Sequence, residues 1–166
     1  FVKIPIVQLA LSVGTYLLLA YVLGQKELLN AKFEFLHAWD LGWVYLALWI
    51  IAQTRFRLGV NANAARAGAR LDRPDQHIYK VMDPTAKKDA PYVLMANTGA
   101  AGRFNRAQRG VFNTDEGMPL FAVNTMLAGG VFGPLVIAPC LLSAYGRIKF
   151  GLGYTEDKNK RGAGFF

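Results

Sequence analysis

The chain has a single cysteine, Cys140, and two histidines, His37 and His77. One thiol excludes an internal disulfide and leaves the redox compartment open; within a helix, Cys140 is read as a small packing residue. The two histidines fall in different predicted loops on opposite sides, so no metal centre is expected. Ser12 and Ser143 lie inside apolar helices, where a hydroxyl usually bonds its own backbone, and a hydrolase triad has no support. Gly99-Ala100-Ala101-Gly102 lacks the preceding strand and following lysine of a phosphate-binding loop, and reads as a flexible hinge. No internal repeat or low-complexity tract is present. The most consequential absence is charge, since no ionisable acid or base occurs at 4–25, 41–54 or 117–146.

A membrane span needs about 20 mostly apolar residues. Over 166 residues, 53% are hydrophobic and 13% aromatic, and the mean hydropathy is +0.21, above the usual soluble mix. The first uncharged run suffices for one helix. The second reaches membrane length if Trp39 anchors at the interface and Arg55 and Arg57 snorkel. The third is too long for one helix, and Gly129-Gly130-Val131-Phe132-Gly133-Pro134 in its interior predicts a helical hairpin. The expectation is an all-α integral membrane four-helix bundle forming a single domain over 1–166. Its helices are placed at about 3–24, 40–70, 103–129 and 134–154, with a polar loop at 71–102. Alanines between Asn61 and Arg70 extend the second helix, and Pro74 is expected to end it.

Of 19 basic residues, only Lys3, Lys26 and Lys32 precede Arg55, and the last two share their segment with Glu27, Glu34 and Asp40. The other 16 lie at 55–109 and 147–161. By the positive-inside rule those segments and both termini face the cytoplasm or its organellar equivalent, while 26–40 lies opposite. The net charge of +8 is then a topology signal and an attraction to anionic lipid; with no basic-aromatic recognition module, no nucleic-acid partner is expected. Phe1 in place of Met reads as the start of a processed or partial chain in an endoplasmic reticulum or organelle membrane, mitochondrial or plastid. Its first helix exceeds a signal-peptide core and is expected to be a retained anchor. Trp39, Trp43, Tyr45 and Trp49 read as interfacial and packing aromatics rather than a pigment or quinone site.

Where the third uncharged run begins, Arg106, Arg109, Asn113 and Glu116 recur at steps of three and four and share one helix face. Ionisable groups at that depth are costly and mark a site. Arginine forks hold carboxylates, an amide reads a peptide group and a glutamate receives an ammonium, so the stripe suits a compact zwitterion. The same spacing also suits an interhelical salt-bridge cluster, and spacing alone leaves both readings open.

Gln108-Arg109-Gly110-Val111-Phe112-Asn113-Thr114-Asp115-Glu116, followed by Pro119, resembles the signature of the membrane-associated proteins in eicosanoid and glutathione metabolism, the MAPEG family. Arg147-Ile148-Lys149-Phe150-Gly151-Leu152-Gly153-Tyr154 with Lys160-Arg161-Gly162-Ala163 is similar to the end of that family's third helix, especially in its microsomal glutathione transferase and leukotriene-forming branches. Ala65-Arg66 with Arg70, Leu71 and Pro74 is similar to its first helix end. The resemblance implies a homotrimer binding glutathione as co-substrate between subunits. Arg66, Arg109, Asn113, Glu116 and Tyr154 would contact glutathione, and Arg161 would be catalytic, stabilising the thiolate for attack on a lipophilic small molecule arriving through the lipid. The implied activity is a glutathione-dependent transferase or peroxidase acting on lipophilic electrophiles or lipid hydroperoxides. Val111, Gly117 and Phe150 depart from the family pattern, each losing a polar contact. No family-type fourth helix is expected between Arg161 and Phe166, while an extra helix precedes the matched part and is expected to take its place. These departures support the alternative of a non-catalytic MAPEG-derived subunit of a larger membrane complex, respiratory or photosynthetic.

Overall fold

The computed structural model describes residues 3–71 and 95–164, and every regular element among them is helical. Helix α1 (Lys3–Leu17) continues as a π turn over Leu18–Val22. After Gly24, whose φ of 64° ends the turn, come α2 (Lys26–Ala38), α3 (Gly42–Ala69), α4 (Gly99–Phe132) and α5 (Ile137–Glu156). A 3₁₀ segment at Lys158–Gly164 follows α5. The chain is an all-α membrane helical bundle: Pro5–Val22 and the stretch Gly99–Glu156 are long and apolar enough to cross a bilayer, and α2 and α3 meet the same criterion only together, as one pair bent by 90° at their break.

Gly99–Glu156 is two antiparallel legs. Gly133, at φ 54°, adopts a left-handed conformation that a side chain resists, and Pro134 sits in the first turn of the 3₁₀ segment Gly133–Val136. Side-chain contacts link the two legs within each part of the hairpin. Thr125 Oγ1 lies 3.7 Å from Cys140 Sγ, the Asn113 carbonyl accepts from Arg147 Nη1 at 3.4 Å, and the Tyr154 carbonyl accepts from Arg106 Nε at 2.9 Å.

Three features differ from the sequence reading. Lys26–Ala38, read as part of a loop, is helical because its apolar residues follow a 3.6-residue period over 13 residues. Gly99-Ala100-Ala101-Gly102, read as a hinge, forms the first turn of α4. Gly102 is needed there for close approach, since a Cβ would strike the backbone of Asn97. Ser143 Oγ accepts from Arg147 Nε at 3.4 Å instead of bonding its own backbone, whereas Ser12 donates to the Gln8 carbonyl at 2.9 Å. Pro74, His77 and most of the expected polar loop lie outside the described residues. Helix α3 itself ends at Ala69, with Arg70 at φ 54°.

The chain divides into two compact units. The first holds 1–53 and 120–141. Here α1 is tied to α3 by an amide pair, Gln53 Nε2 donating to Gln8 Oε1 at 3.2 Å, an interaction suited to helices in lipid. Within Pro5–Val22, Ala20 is buried while Leu9, Leu11 and Val22 are exposed. Gly129 passes so close to Val44 that a Cβ would lie 2.6 Å from it.

The second unit holds 54–119 and 142–166. Its apolar centre comprises Leu58, Ala62 and Ala65 of α3 with Phe104, Ala107 and Val111 of α4. Small residues allow α5 to join it: an added Cβ on Gly110 would meet Gly151 at 3.3 Å, and one on Gly151 would strike Leu58. Asn61 Nδ2 donates to Thr155 Oγ1 at 2.8 Å, and that hydroxyl donates to the Gly151 carbonyl at 2.7 Å. The buried polar groups linking α3 to α5 are thereby satisfied.

Candidate functional site

Helix α4 has 34 residues, about 51 Å at 1.5 Å per residue, longer than the roughly 30 Å hydrocarbon core. Its charges stop at Glu116, so the polar stripe lies at the membrane border. Pro119 cannot donate to the Asp115 carbonyl, which locally weakens α4 immediately beyond the stripe.

The stripe separates into groups committed to the fold and groups left open. Arg106, read from its spacing as part of the ligand stripe, is spent on architecture. It donates to the carbonyls of Tyr154 (2.9 Å), Asn97 (2.8 Å), Thr155 (3.2 Å) and Glu156 (3.4 Å). The last carbonyls of α5 lack helical donors, and a guanidinium there satisfies them and opposes the helix dipole. Arg55 of α3 forms a bidentate pair with Asp115 at 3.0 and 3.1 Å. Sequence reasoning missed this bond, since only the fold brings residues 60 positions apart together.

Arg109 and Glu116 pair on the open face, Nη1 to Oε1 at 3.2 Å, with side chains 49% and 62% exposed. They are seven residues apart, about 10 Å along the axis, with Asn113 between them. The Asn113 amide, half-buried, has no hydrogen-bond partner among the described residues. On α5 the ring of Tyr154 stacks on Phe150 with centroids 5.7 Å apart and planes at 29°; its hydroxyl also lacks a partner among the described residues. Arg161, exposed in the 3₁₀ segment, has no ion-pair or hydrogen-bond partner among them. Arg66 is half-buried in the last turn of α3 and already engaged. The expected site residues thus lie on separate elements, with Arg109, Asn113 and Glu116 on α4, Tyr154 on α5, Arg161 in the 3₁₀ segment beyond it and Arg66, already engaged, on α3.

The departing positions have structural uses. Val111 is 3% exposed within the apolar centre, where an amide or imidazole would need a buried partner. At Gly117 an added Cβ would lie 3.0 Å from Arg147 Nη2, so the guanidinium occupies the room that a larger residue would take. Phe150 supplies the face on which Tyr154 rests. Among the described residues, no group of three or more histidines, cysteines or acids could hold a metal.

An all-helical membrane bundle with cation, amide and carboxylate along one helix face at the lipid border defines the class. The family model described as MAPEG family matches residues 36–166, and the chain belongs to that family. The family includes glutathione transferases and peroxidases as well as other membrane proteins, generally uses glutathione, and its members are often trimeric. No curated protein and no solved structure matches the chain.

Proposed function

We propose that this chain is a membrane-bound glutathione-dependent transferase or peroxidase acting on lipophilic electrophiles or lipid hydroperoxides. The observation that carries the reading is the division of polar groups. Arg106, Arg55, Asp115 and Asn61 are consumed by the fold, whereas Asn113, Tyr154 and Arg161 keep unpaired polar ends among the described residues. Glutathione offers two carboxylates, an ammonium, two amides and a thiol. The Arg109–Glu116 pair opens to receive a carboxylate and an ammonium, Asn113 reads an amide, and Tyr154 donates a hydrogen bond. The 10 Å reach of the stripe suits an extended tripeptide, about 10 Å at 3.3–3.6 Å per residue. Arg66 supplies a further cation.

Arg161 is assigned to the sulfur. A neighbouring guanidinium favours the thiolate over the thiol and so produces the nucleophile. The thiolate attacks an electrophilic carbon, the sulfur–carbon bond forms, and the leaving group departs with the displaced electron pair. A second copy of the chain is the natural cover for the open face, in a homotrimer whose basic segments face the cytoplasmic-equivalent side.

The test is ultraviolet thiolate absorbance on mixing the purified protein with glutathione. Wild type is expected to show it and Arg161→Ala to lose it, with turnover reduced about 100-fold, typical of removing one charge-stabilising donor. Absence of the signal in both proteins removes the enzyme reading. A second reading, a non-catalytic subunit of a larger respiratory or photosynthetic membrane complex, is favoured by the packing uses of Val111, Gly117 and Phe150. It gains if glutathione fails to bind while the protein purifies stably with other chains.

A further inference from the structure

From the geometry of the first unit we infer that α2 lies flat in the membrane surface and that its corner with α3 holds the headgroup of a zwitterionic phospholipid. Helix α2 starts four residues after the span Pro5–Val22 ends, and it meets α3 at 90°. The span Pro5–Val22 precedes it, so its first turn starts at the membrane border, and α2 and α3 reach membrane length and hydropathy only as a pair bent by 90°. With the uncharged residues 41–54 of α3 entering the bilayer, that right-angle break leaves α2 parallel to the surface.

Its residues match that setting. No residue of α2 is buried. Leu29 and Leu36, half-buried, share one face, flanked by Leu28, Phe33 and Phe35, each about half exposed. Lys26, Glu27, Asn30, Glu34 and His37 occupy the opposite arc. Aromatics mark the ends: Lys26 Nζ lies 5.4 Å from the centre of the Tyr21 ring, and Trp39 follows the last turn, 73% exposed. Such amphipathic rings concentrate at the headgroup level. Asp40 and Trp43 lie against Gly133, so the uncharged turn between α4 and α5 shares this end.

Two cavities open at the corner and share Phe33 and His37. One of about 690 Å³ is lined by Asn30, Glu34 and Ala38 among others; one of about 410 Å³ includes Asp40, Trp43 and Leu46. Glu34, Asp40 and the Trp43 ring suit a quaternary or primary ammonium, Asn30 and His37 can donate to a phosphodiester, and Phe33 and Leu46 continue into acyl-chain surface. Between Lys26 and Asp40 there are three acids and two lysines, a balance that repels an anionic headgroup and accepts a zwitterionic one. The opposite preference belongs to the arginine-rich segments of the second unit.

The full chain in a Cys140→Ser background, reconstituted in phosphatidylcholine vesicles, tests the orientation. An environment-sensitive fluorophore at Leu28→Cys or Phe35→Cys should be blue-shifted and quenched by lipids spin-labelled near the headgroup, while one at Glu34→Cys should be quenched by aqueous iodide. Equal iodide quenching at all three sites, or lipid-insensitive labels at Leu28 and Phe35, overturns the surface placement. Native mass spectrometry from mixed vesicles tests the headgroup. Wild type should retain at least threefold more phosphatidylcholine than the Glu34→Gln, Asp40→Asn double variant, while the phosphatidylglycerol held by the arginine-rich segments stays equal in the two. Equal phosphatidylcholine retention in wild type and variant overturns the headgroup assignment. Glutathione binding has no part in either result.

Discussion

All the arginines of the chain lie in the second unit and none in the first. In the first, helices meet through shape: Gly129 against Val44, Thr125 beside Cys140, one amide pair between α1 and α3. Its outer surface, from Leu9 to Val131, is apolar and exposed. In the second, directed bonds from Arg55, Arg106 and Asn61 cross between elements. Lipid explains the contrast. Where hydrocarbon surrounds the helices, burying apolar surface gains little and close packing must hold them; near the border, charge is tolerated and charge-assisted bonds can be directed.

Substitutions can break that contrast. The largest stability effect is expected for Arg106→Ala, which leaves the α5 carbonyls and that of Asn97 without their donor. At about 1.5–3 kcal/mol for a bond to a charged group, partly replaced by water, the net loss is about 3 kcal/mol, read as a lowered unfolding midpoint in mild detergent. Gly151→Ala drives a methyl into Leu58 and should cost about 2 kcal/mol by overpacking; Leu58→Ala in the same protein should recover part of it. A much smaller effect is expected in the first unit for Val131→Leu, 76% exposed, which should stay within about 0.5 kcal/mol. A larger loss there would show a protein partner where lipid is expected.

The smallest effect concerns the Lys160–Glu156 pair beyond the membrane. The Glu156 hydrogen bond, then its charge, raises the Lys160 ammonium above the ordinary lysine value. A raised lysine stabilises the fold below its unfolded value and loses that contribution as pH rises through its folded one. Glu156→Gln should therefore lower the melting temperature slightly from pH 7 to about 10 and cease to matter at higher pH. A difference that grows with alkaline pH would contradict the pairing.

Much of this division was legible beforehand. The charge-free runs announced membrane helices, Gly133-Pro134 announced the turn, and the three-and-four spacing put Arg109, Asn113 and Glu116 on one face. Arg106 shares that spacing and yet serves the backbone of α5, because periodicity gives the face of a helix and not what stands opposite. Asn61 and Thr155 carried no local signal, being 94 residues apart. The helix at Lys26–Ala38 was obscured by its mixed charges, which resemble a loop until the bend is seen to place it at a surface.

The sequence by itself determined a basic, all-helical membrane chain of the MAPEG family, because hydropathy, charge asymmetry and motif spacing are local properties that survive without coordinates. Only the tertiary structure decided which polar groups are spent and which stay open. Hydrogen bonds saturate, and whether a guanidinium is already occupied depends on carbonyls and carboxylates brought to it from distant parts of the chain.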